Sequence, residues 1–451
     1  MTLAPLSQTP GPRPWLPGGS FWAFRRDPLT FFSHVARTYG DVALLHFGRQ
    51  PVYLVSHPDA IEQVLLGPAT RYAKGVALDR ARRLLGNGLL TANGNDHLRQ
   101  RRMIQPLFHR QHVQGFADAM VRHARRWADT ATSGTRIDVT GSMGALTLAI
   151  VGDTLFSTDV QGLADEVRDA LTDAVEGFGL IFLPMSDRLE RLPIPLFIRM
   201  RKARERLDHV IRRIVAERRT AMDREERPRG DLISMLLAAR DPEHPNATGM
   251  SDEQIRDEAL TIFLAGHETT ANAMAWTWHL LGSAPTAEAR LHAELAAVLG
   301  GRTPSADDVP KLEWTRAMVA ESMRLYPPAW TMGRRALEPH DIGGHHVEAG
   351  ALVITSQWVA HRDRRWWDAP DVFKPERWMS PAPTRPKYAY FPFGGGSRIC
   401  IGESFAWTEM VLLLATIAQR WRLVPTSEPP PVPEPRITLR PKGLFMTTVA
   451  R

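Results

Sequence analysis

The chain has 451 residues and a single cysteine, Cys400, which limits how it can be held together. A lone thiol makes no internal disulfide and cannot build a structural zinc site, which needs several soft ligands. Its stability must come from a packed core. An isolated cysteine is ordinarily a small buried hydrophobe, but the neighbours of this one argue otherwise. It lies in Phe393-Gly394-Gly395-Gly396-Ser397-Arg398-Ile399-Cys400-Ile401-Gly402, where four glycines let the backbone approach a flat group. The apolar residues Trp407, Met410, Val411, Leu412, Leu413 and Leu414 then open a helix, and a helix N-terminus favours a negative sulfur. A thiolate in such a place points to a metal, and thiolate ligation of haem iron favours O–O cleavage.

The pattern Phe393-x-x-Gly396-x-Arg398-x-Cys400-x-Gly402, with Ala406 four residues on, resembles the haem-binding signature of the cytochrome P450 superfamily. A phosphate-binding loop is the other reading of a glycine-rich run, but no Lys-Ser or Lys-Thr pair follows. The resemblance implies haem b as cofactor, with Cys400 as the iron ligand and Phe393 and Arg398 beside it. It also implies a mainly α fold with small β-sheets near both ends and a long central helix over the haem.

Hydrophobic residues at 43% and charged residues at 23% give an ordinary globular balance. No linker divides the chain, so a single domain over 1–451 is expected, with a Pro-rich arm at 1–19. The net charge of +7 raises nucleic-acid binding as an alternative, but there is no basic tail, zinc motif or aromatic-basic repeat. A local cluster at Arg99, Arg101, Arg102 and Arg110 could attract an acidic protein. No run reaches the roughly 20 apolar residues of a membrane helix, and prolines occupy the place of a signal-peptide core. A cytoplasmic monomer without a transmembrane anchor is expected, and the resemblance points to a prokaryotic source.

Asp27-Pro28 opens a helical pattern that ends at Gly40. Strands at 42–47 and 52–55 read as a hairpin. Residues 71–95 read as a long mobile connection with short helical pieces. Helices are predicted at 96–131, 141–180, 197–222, 229–240, 251–283, 286–299 and 314–326, with strands near 340–355 and 436–450.

Ser251 and Gln254 form a capping box for a helix about 45 to 50 Å long. Its middle holds Ala265-Gly266-His267-Glu268-Thr269-Thr270, a poor helix-forming stretch that predicts a functional kink. A zinc-protease reading of His267-Glu268 fails because Ala271 stands where the second ligand is needed. The run is similar to the family's oxygen-activation motif. By that resemblance Ala265 and Gly266 leave a groove for O2, Thr269 hydrogen-bonds bound dioxygen, and Glu268 feeds protons through water. A hydroxyl backed by a carboxylate is a minimal proton relay.

Glu321 and Arg324 share a helix face before Pro327-Pro328. With Lys374-Pro375-Glu376-Arg377-Trp378 they resemble the family's internal triad, in which Arg377 bonds Glu321. Haem carries two carboxylates, so cationic donors are needed around it. His97 and Arg101 lie four apart on one helix, and Arg101 matches a propionate-binding position of the family. Arg398 and Arg334 are further candidates, with Arg335 as the alternative to Arg334. Ala329, Trp330, Thr331 and Met332 fall where the family places residues above the haem, and Phe178 opens an apolar stretch that would roof the substrate.

These features read together as a haem-dependent monooxygenase that hydroxylates or epoxidises a hydrophobic small molecule such as a fatty acid, terpenoid or steroid. Only about fifty residues follow Cys400, so no fused flavin domain is expected and a ferredoxin or flavodoxin with its reductase must supply electrons. A peroxygenase or peroxide-rearranging relative is the enzyme alternative, against which the Glu268-Thr269 pair speaks. A thiolate-haem gas sensor is the non-enzyme alternative and leaves the proton relay unexplained.

Overall fold

The computed structural model describes residues 9–13, 18–156, 194–224, 231–241, 243, 249–381 and 383–451. Each of two compact units is assembled from separated stretches of chain. The first draws on Met1–Val76, Ala320–Cys400 and Pro433–Arg440, the second on Ala77–Val319, Ile401–Val432 and Pro441–Arg451.

A five-stranded sheet organises the first unit. Its strand order is Val42–Phe47, Gln50–Val55, Leu352–Thr355, Met332–Ala336 and Tyr72–Lys74. The expected hairpin forms with Val42 opposite Val55 and Phe47 opposite Gln50. Gln50–Val55 lies between two other strands, and its last four residues are all buried. That is why it reads as a continuous apolar run rather than an alternating one. Alternate residues serve opposite faces. Val42, Tyr53, Val55 and Val353 belong to one core cluster, while Ala43, Leu45, Val52 and Leu54 belong to another with Phe32 and Trp330. Phe32 comes from the helix Pro28–Tyr39, whose first turn is capped by the Asp27 carboxylate accepting from the Thr30 N–H at 3.0 Å.

The second unit is mainly helical. Its longest described helix, Asp252–Gly282, is capped at Ser251, whose hydroxyl accepts from the Gln254 N–H at 3.2 Å. The single helix predicted over 96–131 is instead Gly94–Ile104, a 3-10 turn Gln105–Phe108, and Arg110–Thr130. Pro106, which has no N–H to donate, marks the break. The helix predicted at 141–180 is described from Val139 to Phe156, and the rest of that range lies outside the described residues. The strands Tyr72–Lys74, Met332–Ala336 and Trp421–Pro425 had no clear sequence signal. All are short, and the partner of Tyr72–Lys74, the strand Met332–Ala336, is distant in sequence.

Part of the connection expected to be mobile is pinned. The Asp257 carboxylate accepts from the Asn87 N–H at 2.6 Å, and Glu258 accepts from the Leu89 N–H at 2.8 Å. The Gln100 amide donates to the Asn87 carbonyl at 2.6 Å, which ties the same turn to the helix Gly94–Ile104.

In the first unit, the path toward Cys400 is fixed by one buried carboxylate. Glu321 accepts from Arg324 Nε and Nη2 at 2.9 and 2.8 Å, from Arg377 Nε at 3.2 Å, from the Lys374 N–H at 3.0 Å and from the Trp378 indole at 2.9 Å. Arg324 also donates to the carbonyls of His361 and Pro370 at 2.8 and 2.6 Å. With Glu321 and Arg324 wholly buried, such a cluster is tolerable only because its donors and acceptors are matched. Glu321→Ala leaves two buried guanidiniums without their counter-charge and should cost about 3 to 5 kcal/mol. A denaturation midpoint within error of the parent would show that the cluster does not hold the unit together.

Candidate active site

The loop before Cys400 is closed by the Cys400 N–H donating to the Phe393 carbonyl at 2.9 Å, and Cys400 itself is exposed. Gly396 has φ +67°, and a Cβ there would stand 2.0 Å from the Leu65 carbonyl oxygen. This glycine is therefore required by the protein's own packing, not only by the approach of a flat group. The next helix, Glu403–Ala418, starts three residues after the cysteine. His361, which the sequence did not single out, supports the segment from within: its Nε2 accepts from the Phe391 N–H at 3.0 Å. Burial and the nearby charges of Arg324 and Arg362 keep that imidazole neutral.

Two arginines of this unit lack matching anions. Arg334, in the strand Met332–Ala336, is buried and donates to the Gly333 carbonyl at 3.2 Å. Its pKa is pushed down to about 10, first by burial and then by the positive charge of Arg398. Arg398 donates Nη2 to the Tyr72 carbonyl at 2.7 Å, while its buried Nη1 has no hydrogen-bond partner among the described residues. Neither arginine pairs with a carboxylate there. Two mutually repelling guanidiniums, one buried and one half-buried, fit a ligand that brings its own carboxylates. Arg335 is only half-buried and points to the other face of the strand.

In the second unit, His97 and Arg101 lie on Gly94–Ile104, the first buried and the second half-buried. The helix Asp252–Gly282 passes through 265–270 without interruption, so the expected kink is not a break in the helix. The Thr269 hydroxyl donates back to the Ala265 carbonyl at 2.7 Å, which lets it stay helical and leaves its lone pairs free to accept. Gly266 has a packing role that the groove reading missed. A Cβ on it would approach a Val151 methyl to 3.3 Å, on the neighbouring helix Val139–Phe156. From that helix the Thr147 hydroxyl also donates to the His267 carbonyl at 3.0 Å. Ala265 is exposed, whereas Glu268 and Thr269 are half-buried. His267 is tied through Nδ1 to the Phe263 carbonyl at 3.1 Å, and burial lowers its pKa. Among the described residues, no group of three or more His, Cys, Asp or Glu side chains could hold a metal ion.

Some expected contacts are placed elsewhere. Trp330 is 5% exposed, packs against Phe32 and donates its indole N–H to the Arg436 carbonyl at 3.0 Å, so it is a core residue and not a pocket wall. The Thr331 hydroxyl is engaged with the Thr355 carbonyl at 3.2 Å. Ala329 and Met332 remain half-buried, and Phe178 lies outside the described residues. The basic cluster is largely neutralised in place. Arg99 contacts Asp241, Gln254 and the Gly249 carbonyl, and Arg102 pairs with Asp241 and Glu243; only Arg110 is a plainly exposed cation.

The cytochrome P450 family model matches residues 9–448, and the chain belongs to that family. It is thus a haem-thiolate monooxygenase of the class that uses oxygen and redox partners. Cyclooctatin synthase of Streptomyces melanosporofaciens is 39% identical, covering 98% of this chain and 97% of that protein. Cyclooctat-9-en-7-ol 5-monooxygenase of the same organism is 37% identical over 93% and 92%. Pentalenene oxygenase of Streptomyces avermitilis is 36% identical over 91% and 90%. No helix among the described residues is long and apolar enough to cross a membrane.

Arg334→Met should speed haem loss roughly tenfold to hundredfold, the worth of one charge-assisted hydrogen bond. Transfer to an excess of a haem-scavenging apoprotein measures it. A rate equal to that of the parent would remove Arg334 from the haem site.

Proposed function

We propose that the chain is a haem b monooxygenase acting on a terpenoid, with electrons from a separate ferredoxin or flavodoxin and its reductase. It works as one catalytic domain and as a cytoplasmic monomer. The observation that carries this reading is the pair Arg334, buried, and Arg398, half-buried, which meet no carboxylate among the described residues and lie in the same unit as the chain's only thiol. The names of the three relatives favour a terpenoid over a fatty acid or steroid.

When bound, the haem supplies dioxygen activation and oxygen insertion into a C–H or C=C bond. Cys400 would hold the iron through Sγ as a thiolate. Arg334 and Arg398 would neutralise haem carboxylates, a role that the family resemblance alone extends to His97 and Arg101. The short side chain of Ala265 leaves room on the helix surface, and by the family resemblance Ala329 and Met332 would face the substrate. Glu268 takes protons from water, and Thr269 passes them on by swinging its hydroxyl away from the Ala265 carbonyl. Release of water consumes two protons in each turnover, so a hydroxyl and a carboxylate one residue apart have a definite task.

The reduced, carbon-monoxide-bound protein should show the strongly red-shifted Soret band of thiolate ligation, and Cys400→Ser should lose it. Since no other cysteine exists, a thiolate spectrum in that variant would end this reading.

Thr269→Ala should still bind haem and substrate, while hydrogen peroxide rises and product per oxygen consumed falls. Unchanged coupling in both Thr269→Ala and Glu268→Gln would take the pair out of the mechanism. A spin-state screen of cyclic terpene hydrocarbons and alcohols against fatty acids and steroids decides the substrate class.

A further inference from the structure

Short-range backbone bonds shape the cysteine loop. The Gly394 N–H donates to the Phe391 carbonyl at 2.9 Å, the Ile399 N–H to the Gly396 carbonyl at 3.1 Å, and the Cys400 N–H to the Phe393 carbonyl at 2.9 Å. Gly394 and Gly396 both have positive φ, at +79° and +67°. A bond within the loop fixes its shape, whereas its place depends on bonds to the rest of the fold. Two side chains reach outward from this segment: Tyr390 donates its hydroxyl to the Ala320 carbonyl at 3.0 Å, and Arg398 donates to the Tyr72 carbonyl at 2.7 Å. His361 reaches in, to the backbone of the loop itself.

His361 is wholly buried and closes the short helix Gln357–Ala360, its own N–H donating to the Gln357 carbonyl at 2.9 Å. Its carbonyl accepts from Arg324 Nη1 at 2.8 Å, which ties its backbone to the Glu321 cluster. Its ring packs on those of Tyr390 and Phe391, with centroids 5.0 and 5.4 Å away, and accepts the Phe391 N–H through Nε2 at 3.0 Å. One residue thus joins the buried charge cluster to the first turn of the loop. Phe391 passes the constraint on, because its N–H is held by His361 while its carbonyl holds the Gly394 N–H. Hydrogen bonds in series polarise one another, most strongly where water is absent.

A polar ring sealed from water is a costly way to fill space. Leucine would occupy similar room and leave the Phe391 N–H buried without this acceptor. Accepting at Nε2 requires the proton on Nδ1. The backbone of Met323 and Arg324 lies beside the ring, yet Nδ1 finds no partner of good geometry among the described residues. The imidazole gives up a good bond at one nitrogen and keeps the bond to the loop at the other. That asymmetry makes the Phe391 N–H the reason for an imidazole here.

We propose that His361 is a positioning residue for Cys400. As a neutral acceptor of the Phe391 N–H it anchors the turn Phe391–Gly394, and that turn aims the Phe393 carbonyl at the Cys400 N–H. The direction of the Cys400 sulfur is then set by the Glu321 cluster through His361, not by the loop alone. The consequence for the sulfur rests on reading Cys400 as the iron ligand, whereas the anchoring of the loop does not.

The test uses the haem-loaded protein and amide hydrogen exchange resolved to single residues between 388 and 402. In the parent, the amides of Phe391, Gly394 and Cys400 should open together, with equal protection factors. Three independent values would overturn the proposal. In His361→Leu all three should exchange about tenfold to hundredfold faster, the effect of leaving one buried donor unpaired. Acceleration confined to Phe391 would overturn it too. A residue of purely structural use would lower the denaturation midpoint and leave the surroundings of the iron unchanged. The positioning role demands more of a folded His361→Leu: weaker thiolate donation moves the reduction potential to more positive values. In mild denaturant its reduced, carbon-monoxide-bound form should also lose the red-shifted Soret band about tenfold faster than the parent. His361→Gln, whose side-chain carbonyl can stand where Nε2 stood, should restore both. A potential and a band like those of the parent in His361→Leu would reduce the residue to packing. If His361→Leu does not fold, His361→Asn, whose shorter side chain stops before the Phe391 N–H, carries the same measurements, and exchange in the parent still decides whether the three amides move as one. Retention of the thiolate spectrum by Cys400→Ser would sink the haem reading while leaving the exchange result intact, so the two failures are distinguishable.

Discussion

The carboxylate of Glu321 is the point on which the first unit depends. It receives donors from its own helix and from the segment 374–378, and through Arg324 it reaches the carbonyls of His361 and Pro370. A long irregular stretch leads to Cys400, and irregular backbone must find partners for its polar groups one by one. Here a single buried charge recruits several of them at once. Its value lies in fixing one arrangement, since a buried ion pair adds little net stability over a well-packed apolar substitute.

Charge is matched in that cluster and left unmatched at Arg334 and Arg398. The contrast separates a structural from a functional use of the same side chain. Arg324 has its carboxylate and is fully satisfied, whereas Arg398 has a buried nitrogen with no partner among the described residues and Arg334 is held below its ordinary pKa. An imbalance of that size is tolerable if a ligand supplies the missing anion. The acids show the same contrast, with Asp308 locked to Arg302 and driven to very low pKa while Glu409 is sealed among apolar residues and kept neutral.

In the second unit, the helix Asp252–Gly282 packs closely through the same stretch that carries the proposed proton relay. Gly266 admits Val151 and Thr147 bonds the His267 carbonyl, so the neighbouring helix is fitted to the stretch that carries Glu268 and Thr269. Back-bonding of Thr269 to Ala265 keeps the hydroxyl within the helix until another acceptor competes for it. Asp257 and Glu258, near the start of the same helix, hold the turn at 86–92 that precedes His97 and Arg101.

Local sequence determined what depends on near neighbours. The cap at Asp27, the hairpin at 42–55, the Ser251 cap and the long helix follow from patterns within a few residues of each other, and the 393–402 pattern carried the family. Partners distant along the chain were settled only by the tertiary structure. The short strand Tyr72–Lys74 exists because Met332–Ala336 lies beside it, and Trp330 is core because Phe32 and Arg436 meet it. Arg99 and Arg102 looked like a free basic face until Asp241 and Glu243 were seen against them. Glu409 was invisible in the sequence for the same reason: an acid in an apolar run shows its anomaly only when burial leaves both oxygens without a partner. Burial and long-range pairing set the energy of a charge, and neither is encoded in the residues immediately around it.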